Sequence, residues 1–201
     1  MTGQADLEGM PVLEPSDRIG FESPYPLAIS QIGPREWELT APLTYHGTRQ
    51  RFDIPIGATT DLGSNPRVAM ALVTIFEVAS PALHDRLWRH WVPLTAHLPS
   101  GQRVTYRDAD GLLRQALMTQ GAGLLRRWII WAGVRWGALT RPGGRQDWWR
   151  DAPLVLLISV LTLPVVLLPT PIGVGLLNLA EWVVSPLDRR KRARLYHAGH
   201  G

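Results

Sequence analysis

His84 and Asp85 stand side by side in "LHDRLW" (83–88), with Asp61 ahead of them in "TTDLGSNPR" (59–67) and Asp110 behind them in "RDADGLL" (107–113). An imidazole among carboxylates supports two kinds of chemistry. It can hold a hard or borderline divalent cation, because His and Asp are the ligands such metals prefer when no thiolate is available. It can also form an Asp–His–water relay for general acid–base work. His84, Asp61 and Asp85 are therefore the candidate catalytic groups, and Asp61, His84 and Asp110 the candidate metal set. Arg67 and Arg107 could hold an anionic substrate, with Ser64 beside them. Ser64 as a nucleophile has less behind it, since no Gly-x-Ser-x-Gly elbow surrounds it. The competing reading is a buried polar network that pins a helix bundle to a sheet. Adjacent helix positions diverge by about 100°, so His84 and Asp85 cannot both face one point. One points inward while the other caps or pairs, for instance with Arg67 or Arg89.

These residues need elements to position them. Between residues 35 and 56 the chain reads as β-structure. Trp37, Leu39 and Ala41 alternate with polar neighbours, and Phe52, Ile54 and Ile56 repeat at period two. "HGTRQ" between them suits a hairpin turn. Another strand is expected near residues 19 to 32. Four helices follow. Asn65 and Pro66 open the first, Ser80 and Pro81 the second. Thr105 caps the third, which stops near Gly121 with Leu112, Leu113, Ala116 and Leu117 on its apolar face. Asp110 and Arg114, four apart on that helix, are placed to pair. "GLLRRWIIWAGVRWGALT" is the fourth. The expected class is α+β: a small antiparallel sheet packed by three to four helices.

Composition narrows the function. The 201 residues suffice for one domain with a core plus an extra segment. Cysteine is absent, which excludes disulfides, thiolate zinc sites and Cys nucleophiles. There is no Walker loop, no Gly-x-Gly-x-x-Gly and no His-Glu-x-x-His. The net charge is +4, and of the 21 basic residues only Lys191 is lysine. That bias reads as G+C-rich coding, or as phosphate binding through bidentate guanidinium groups. The basic residues are scattered until the C-terminal end, so no dedicated nucleic-acid site is expected.

From Ala152 to Ala180 the chain carries no charge: "APLVLLISVLTLPVVLLPTPIGVGLLNLA". Trp148, Trp149 and Trp182 flank the run as interfacial anchors would. Pro164, Pro169 and Pro171 interrupt it. Arg141, Arg145 and Arg150 precede it, and Arg189, Arg190, Lys191, Arg192 and Arg194 follow. Positive charge on both sides favours a broken hairpin with both ends in the cytoplasm; a kinked single span is the alternative. The expected organisation is a loose tail (1–17), an α+β domain (18–147), a membrane segment (148–187) and a basic tail (188–201) that can meet anionic headgroups. No signal peptide is visible, so the domain is expected to face the cytoplasm.

Four stretches carry a family resemblance. "IPIGATTDLGSNPR" (54–67) resembles the "VPxGFxTDxASxPR" signature of the phage and prophage family known as domain of unknown function 1353. "LHDRLW" (83–88) resembles its "LHDxLY", "RDADGLLRQAL" (107–117) its "RxxADxxFxxAL", and "AGVRWG" (132–137) its "AVRxFG". The resemblance covers about residues 35 to 140. By position it maps the family's polar set onto Thr60, Asp61, Ser64, Pro66, Arg67, His84, Asp85, Arg107, Asp110 and Arg135. Ala58, Gly63, Trp88 and Leu113 depart from it in packing positions only. The resemblance implies a small α+β domain of phage or prophage origin, without implying a substrate. The apolar run lies outside it.

Two functions follow as expectations. One is a membrane-anchored hydrolase using a metal-bound or His-activated water. The other is a non-catalytic phage accessory protein that docks on a membrane or on a phage or host protein partner.

Overall fold

The computed structural model describes residues 19–22, 27–34, 36–48, 50–61, 79–95, 104–167 and 170–198. The expected helix behind Asn65 and Pro66, and the residues Ser64 and Arg67, lie outside these ranges.

Among the described residues six short strands come first: β1 (Gly20–Phe21), β2 (Ile29–Gly33), β3 (Glu36–Leu39), β4 (Leu43–His46), β5 (Arg51–Ile54) and β6 (Thr59–Thr60). They form two antiparallel three-stranded sheets, β1-β4-β5 and β2-β3-β6, where one small sheet was expected. The split falls at Thr40–Pro42. Proline cannot donate to a ladder, so the chain leaves one sheet after Leu39 and enters the other at Leu43. The hairpin at "HGTRQ" forms as its sequence suggests. Leu43 pairs with Ile54 and His46 with Arg51, and the Gly47 N–H donates to the Gln50 carbonyl at 2.7 Å. Alternation buries Leu43 and Tyr45 on β4, and Phe52 and Ile54 on β5. Ile56 does not continue that face. It is exposed, because the chain turns at Gly57, whose φ of +83° is a conformation glycine adopts without a Cβ penalty.

Helix α1 (Ala79–Arg86) runs on through a π-helical turn (Leu87–Trp91) and a last turn (Val92–Thr95). Ser80 lies inside α1 and does not cap it; its N–H and hydroxyl both donate to Gln120 Oε1. Helix α2 (Tyr106–Thr119) begins with a full capping box. Thr105 Oγ1 accepts from the Asp108 N–H, while the Thr105 N–H donates to Asp108 Oδ2. It ends before Gly121, whose φ is +95°. Leu113, Ala116 and Leu117 are buried, as the spacing predicts. Helix α3 (Leu124–Ala138) packs on α2 and on the two long helices α4 (Pro142–Leu167) and α5 (Thr170–Ala198). The main core lies between the sheets, α1 and α2, with Tyr45, Phe52, Leu83, Leu87, Trp91 and Ala116 at its centre.

The uncharged run is split between two arms, residues 152–167 of α4 and 170–180 of α5. Each is shorter than the roughly 20 residues a crossing needs. Among the described residues no helix is long and apolar enough to cross a membrane. Nor is the run a separate unit: α4 begins at Pro142, runs through position 148 without a break, and shares a core with α3 through Trp131, Trp148, Ala152 and Val155.

Candidate functional site

The expected divergence of His84 and Asp85 is what α1 displays. His84 points into the protein. Its Nε2 lies 2.7 Å from Asp110 Oδ1 on α2. The same carboxylate oxygen accepts from Trp88 Nε1 at 2.9 Å, and Oδ2 accepts from Arg135 of α3 at 2.9 Å. Asp110 and Arg135 are both fully buried, at 0 % exposure. Burying a carboxylate is costly unless opposite charge and hydrogen bonds surround it. Here an imidazole, an indole and a guanidinium do so. The guanidinium continues the chain of charge: Arg135 Nε lies 3.3 Å from Asp151 Oδ2 on α4. Arg107 then grips Asp151, its Nε donating to both carboxylate oxygens and an NH2 group to Oδ1. The series Trp88/His84–Asp110–Arg135–Asp151–Arg107 ties α1, α2, α3 and α4 together.

Asp85 faces the other way, toward the end of β6. Thr60, itself buried, donates its hydroxyl to Asp85 Oδ2, and the Asp61 N–H donates to the same oxygen at 3.1 Å. Asp61 accepts from Arg89 at 3.2 Å. Burial, and then the nearby Asp61 carboxylate, push Asp85 up to about 6 against the opposing effects of Thr60, His84 and Arg89. The nine turn residues of "TTDLGSNPR" thus start with a working joint. Thr60 and Asp61 fasten the strand end to α1.

The candidate metal set does not come together. His84 meets Asp110, whereas Asp61 joins Asp85 and Arg89. Among the described residues no three His, Asp or Glu side chains form a group that could hold a metal ion. The candidate catalytic groups also lie apart from the cleft beside the network. That cleft, of about 600 Å³, is lined by residues that include Arg107, Asp151, Arg114, Gln115, Phe52 and Trp131. Arg107, the expected substrate-binding group, lines this cleft but is already bound to Asp151. Arg114 does not pair with Asp110, which is fully engaged by its three other partners. It lies instead over the Trp128 ring, 3.9 Å from the centroid. Burial and the neighbouring Arg127 hold its basicity down. Among the described residues the arrangement therefore offers an ion-pair network and a cation–π pair, but no open nucleophile beside a base.

Sequence reasoning missed Asp151. It sits at the edge of the apolar run, one position after Arg150, and reads there as a flank. The indole of Trp88 was also missed. Its signal was available, since a half-buried indole N–H seeks an acceptor and Trp88 stands one helical turn after His84.

Most of these polar positions fall inside a recognisable block. Residues 37–134 match the model of the family described as "Protein of unknown function (DUF1353)". The matched stretch runs from β3 to most of α3. It includes Thr60, Asp61, His84, Asp85, Arg107 and Asp110; Arg135 lies one residue beyond it, and Asp151 and the hairpin of α4 and α5 lie wholly outside. No curated protein and no solved structure matches the chain.

Proposed function

We propose that the protein is a non-catalytic accessory module that docks on a membrane surface through the α4–α5 hairpin. One observation carries this reading. The hairpin presents large apolar side chains to solvent: Leu156, Leu157, Val160, Leu161, Leu179 and Val183 are all exposed, with Val160 and Leu161 at 68 %. Exposed apolar patches of that extent mark interaction surfaces. Trp149 and Trp182, at 74 % and 75 %, flank them. Tryptophan at that position suits the boundary between hydrocarbon and headgroups, where its ring is apolar and its N–H wet.

The stretch that resembles DUF1353 supports the non-catalytic half. Its His84–Asp110 pair, held by Arg135 just beyond it, is buried and internally paired, which is the form a structural network takes. The domain would face the cytoplasm, with the basic residues of both hairpin ends on its side of the bilayer. A phage or prophage setting, and a phage or host protein partner for the remaining surface, follow from the resemblance of the motifs.

The test is sedimentation of the full chain with vesicles. Binding to phosphatidylserine-containing vesicles that is lost in Leu161→Asp supports the reading. A chain that stays in the supernatant with every lipid composition sinks it.

A second reading has one observation behind it. Asp85, only partly covered and pushed up to about 6, is suited to proton transfer near neutrality. A hydrolase reading would centre on Asp85 and Asp61 and leave the His84–Asp110 pair a positioning role. Screening Asp85→Asn against wild type on phosphoester and ester substrates decides it. Turnover in the wild type that the variant lacks would favour the hydrolase.

A further inference from the structure

The geometry points to a monotopic mode of docking: the α4–α5 hairpin sinks its tip into one leaflet, as far as the level where α3 crosses it, and never reaches the other side. This rests on the membrane reading above and adds its depth and its lipid chemistry.

Depth follows from how α3 holds the hairpin. On α4, Trp136 Nε1 donates to Ser159 Oγ at 2.9 Å, and Ala152 and Val155 are buried against Trp131 and Trp148. On α5, Glu181 Oε1 accepts the Arg126 N–H at 2.8 Å, and Asn178 Oδ1 accepts from the Arg126 guanidinium at 3.1 Å. Both arms are thus attached to a helix bearing Arg126 and Arg127. Carrying those charges, with Glu181 beside them, to hydrocarbon depth is strongly disfavoured. The part of the hairpin beyond α3 is what can enter. In α4 it runs from residue 160 to 167, eight residues, or about 12 Å at 1.5 Å per residue. In α5 it runs from residue 170 to 176, seven residues, or about 10 Å. One leaflet of the hydrocarbon core is about 15 Å thick, half of about 30 Å. The free tip therefore fits one leaflet and falls well short of two. Its described surface agrees: Val160, Leu161, Leu163 and Ile172 are all exposed.

The order of side chains along the hairpin selects a lipid bilayer over a protein groove as the occupant. The tip is apolar. Tryptophans follow at Trp149 and Trp182. Arg141 and Arg145 then lie on or beside the start of α4, both exposed, and the sequence places Arg189, Arg190, Lys191, Arg192 and Arg194 on the last turns of α5. Acyl chains, interface and anionic headgroups succeed one another in that order. The two ends of the hairpin bring both basic clusters to the same side, so the surface favours anionic lipid.

The chain has no cysteine, so single fluorophores can be placed on the full-length protein through Leu161→Cys and Thr170→Cys. An environment-sensitive dye is read on phosphatidylcholine vesicles with and without phosphatidylserine. The expected result is a water-excluded emission at both positions, quenching by bromine carried on the acyl chains, and no reduction of the Thr170 label by dithionite sealed inside the vesicles. Reduction by that internal dithionite would show that the tip crosses, overturning the one-leaflet mode while leaving membrane docking intact. Water-like emission from both labels on bound protein would overturn insertion in favour of surface adhesion. Failure to bind vesicles of either composition would remove the membrane reading and this inference with it. The companion variant Leu161→Asp, at an exposed position, should keep the fold and weaken vesicle partitioning roughly tenfold or more.

Discussion

At the scale of single residues, the question is whether His84, Asp110 and Arg135 act on something or hold something. Asp110 has an imidazole, an indole and a guanidinium on its two oxygens, and neither it nor Arg135 touches solvent. Removing one partner of such a set leaves the others buried and uncompensated. Asp110→Leu should therefore cost about 3–5 kcal/mol of folding free energy, and Arg135→Met a similar amount. The double change Asp110→Leu with Arg135→Met should recover much of the loss, because the two deletions remove each other's stranded charge. Chemical denaturation of the four proteins measures this, and additive losses would contradict it. Asp85 gives a test with a sign. Its pKa stands near 6 in the folded chain, chiefly through burial, against an ordinary value near 4. The folded state then holds more protons than the unfolded state across that interval. Stability contributed by Asp85 should be present below about pH 4 and should fall as pH rises toward 6. Asp85→Asn should flatten that slope and raise stability at pH 7 by up to about 3 kcal/mol. At this scale the sequence exposed most of the polar set. It could show that His84 and Asp85 diverge, but not which of them met Asp61, since that depends on where β6 ends against α1.

At the scale of elements, local signals did well and long-range ones did not. Thr105 and Gly121 mark the ends of α2 because capping and left-handed termination are written in a few adjacent residues. The hairpin at Gly47 is equally local. The division into two sheets is not, because it depends on β6 returning to pair with β3, Trp37 facing Thr60 across 23 residues of sequence. The start of α3 is the sharpest case. Its N-cap, Gly123, offers no side chain to cap the helix. Glu181 of α5 supplies the carboxylate instead, and a Cβ at position 123 would run into that group. A capping residue 58 positions away leaves no local trace. Glu181→Ala should cost about 1 kcal/mol as a lost cap. Gly123→Ala should cost a similar amount, because the flexible end of Glu181 can swing aside at the expense of the cap, and the two changes together should cost less than their sum, since the alanine no longer meets a carboxylate. Thermal melts of the three variants form the cycle; strict additivity would mean Glu181 does not occupy that position in solution.

At the scale of the whole molecule, the charge pattern and the apolar pattern act on the same event and can be separated. The uncharged run is plain in the sequence, and its prolines and basic flanks favoured a broken hairpin over a kinked span. The structure divides it over two arms and attaches both to α3, and this leaves a tip too short to cross. Binding should then have two components with different responses. The apolar tip contributes a term that depends on insertion and is indifferent to salt. The basic residues at 189–194 contribute about 1 kcal/mol each near an anionic surface, screened within a Debye length of about 8–10 Å at physiological salt. Replacing Arg189, Arg190 and Lys191 with glutamine should weaken binding to phosphatidylserine vesicles by one to two powers of ten, a loss of about 1.4 kcal/mol for each. The same triple variant should bind neutral vesicles as the wild type does, and its affinity should respond less to added salt. Leu161→Asp should lower binding to both lipid compositions alike. Titrating vesicles of each kind against the intrinsic tryptophan emission gives all four comparisons. If the triple variant lost binding to neutral vesicles as well, the basic segment would be needed for the hairpin itself rather than for the headgroups, and the division of labour between tip and tail would be wrong.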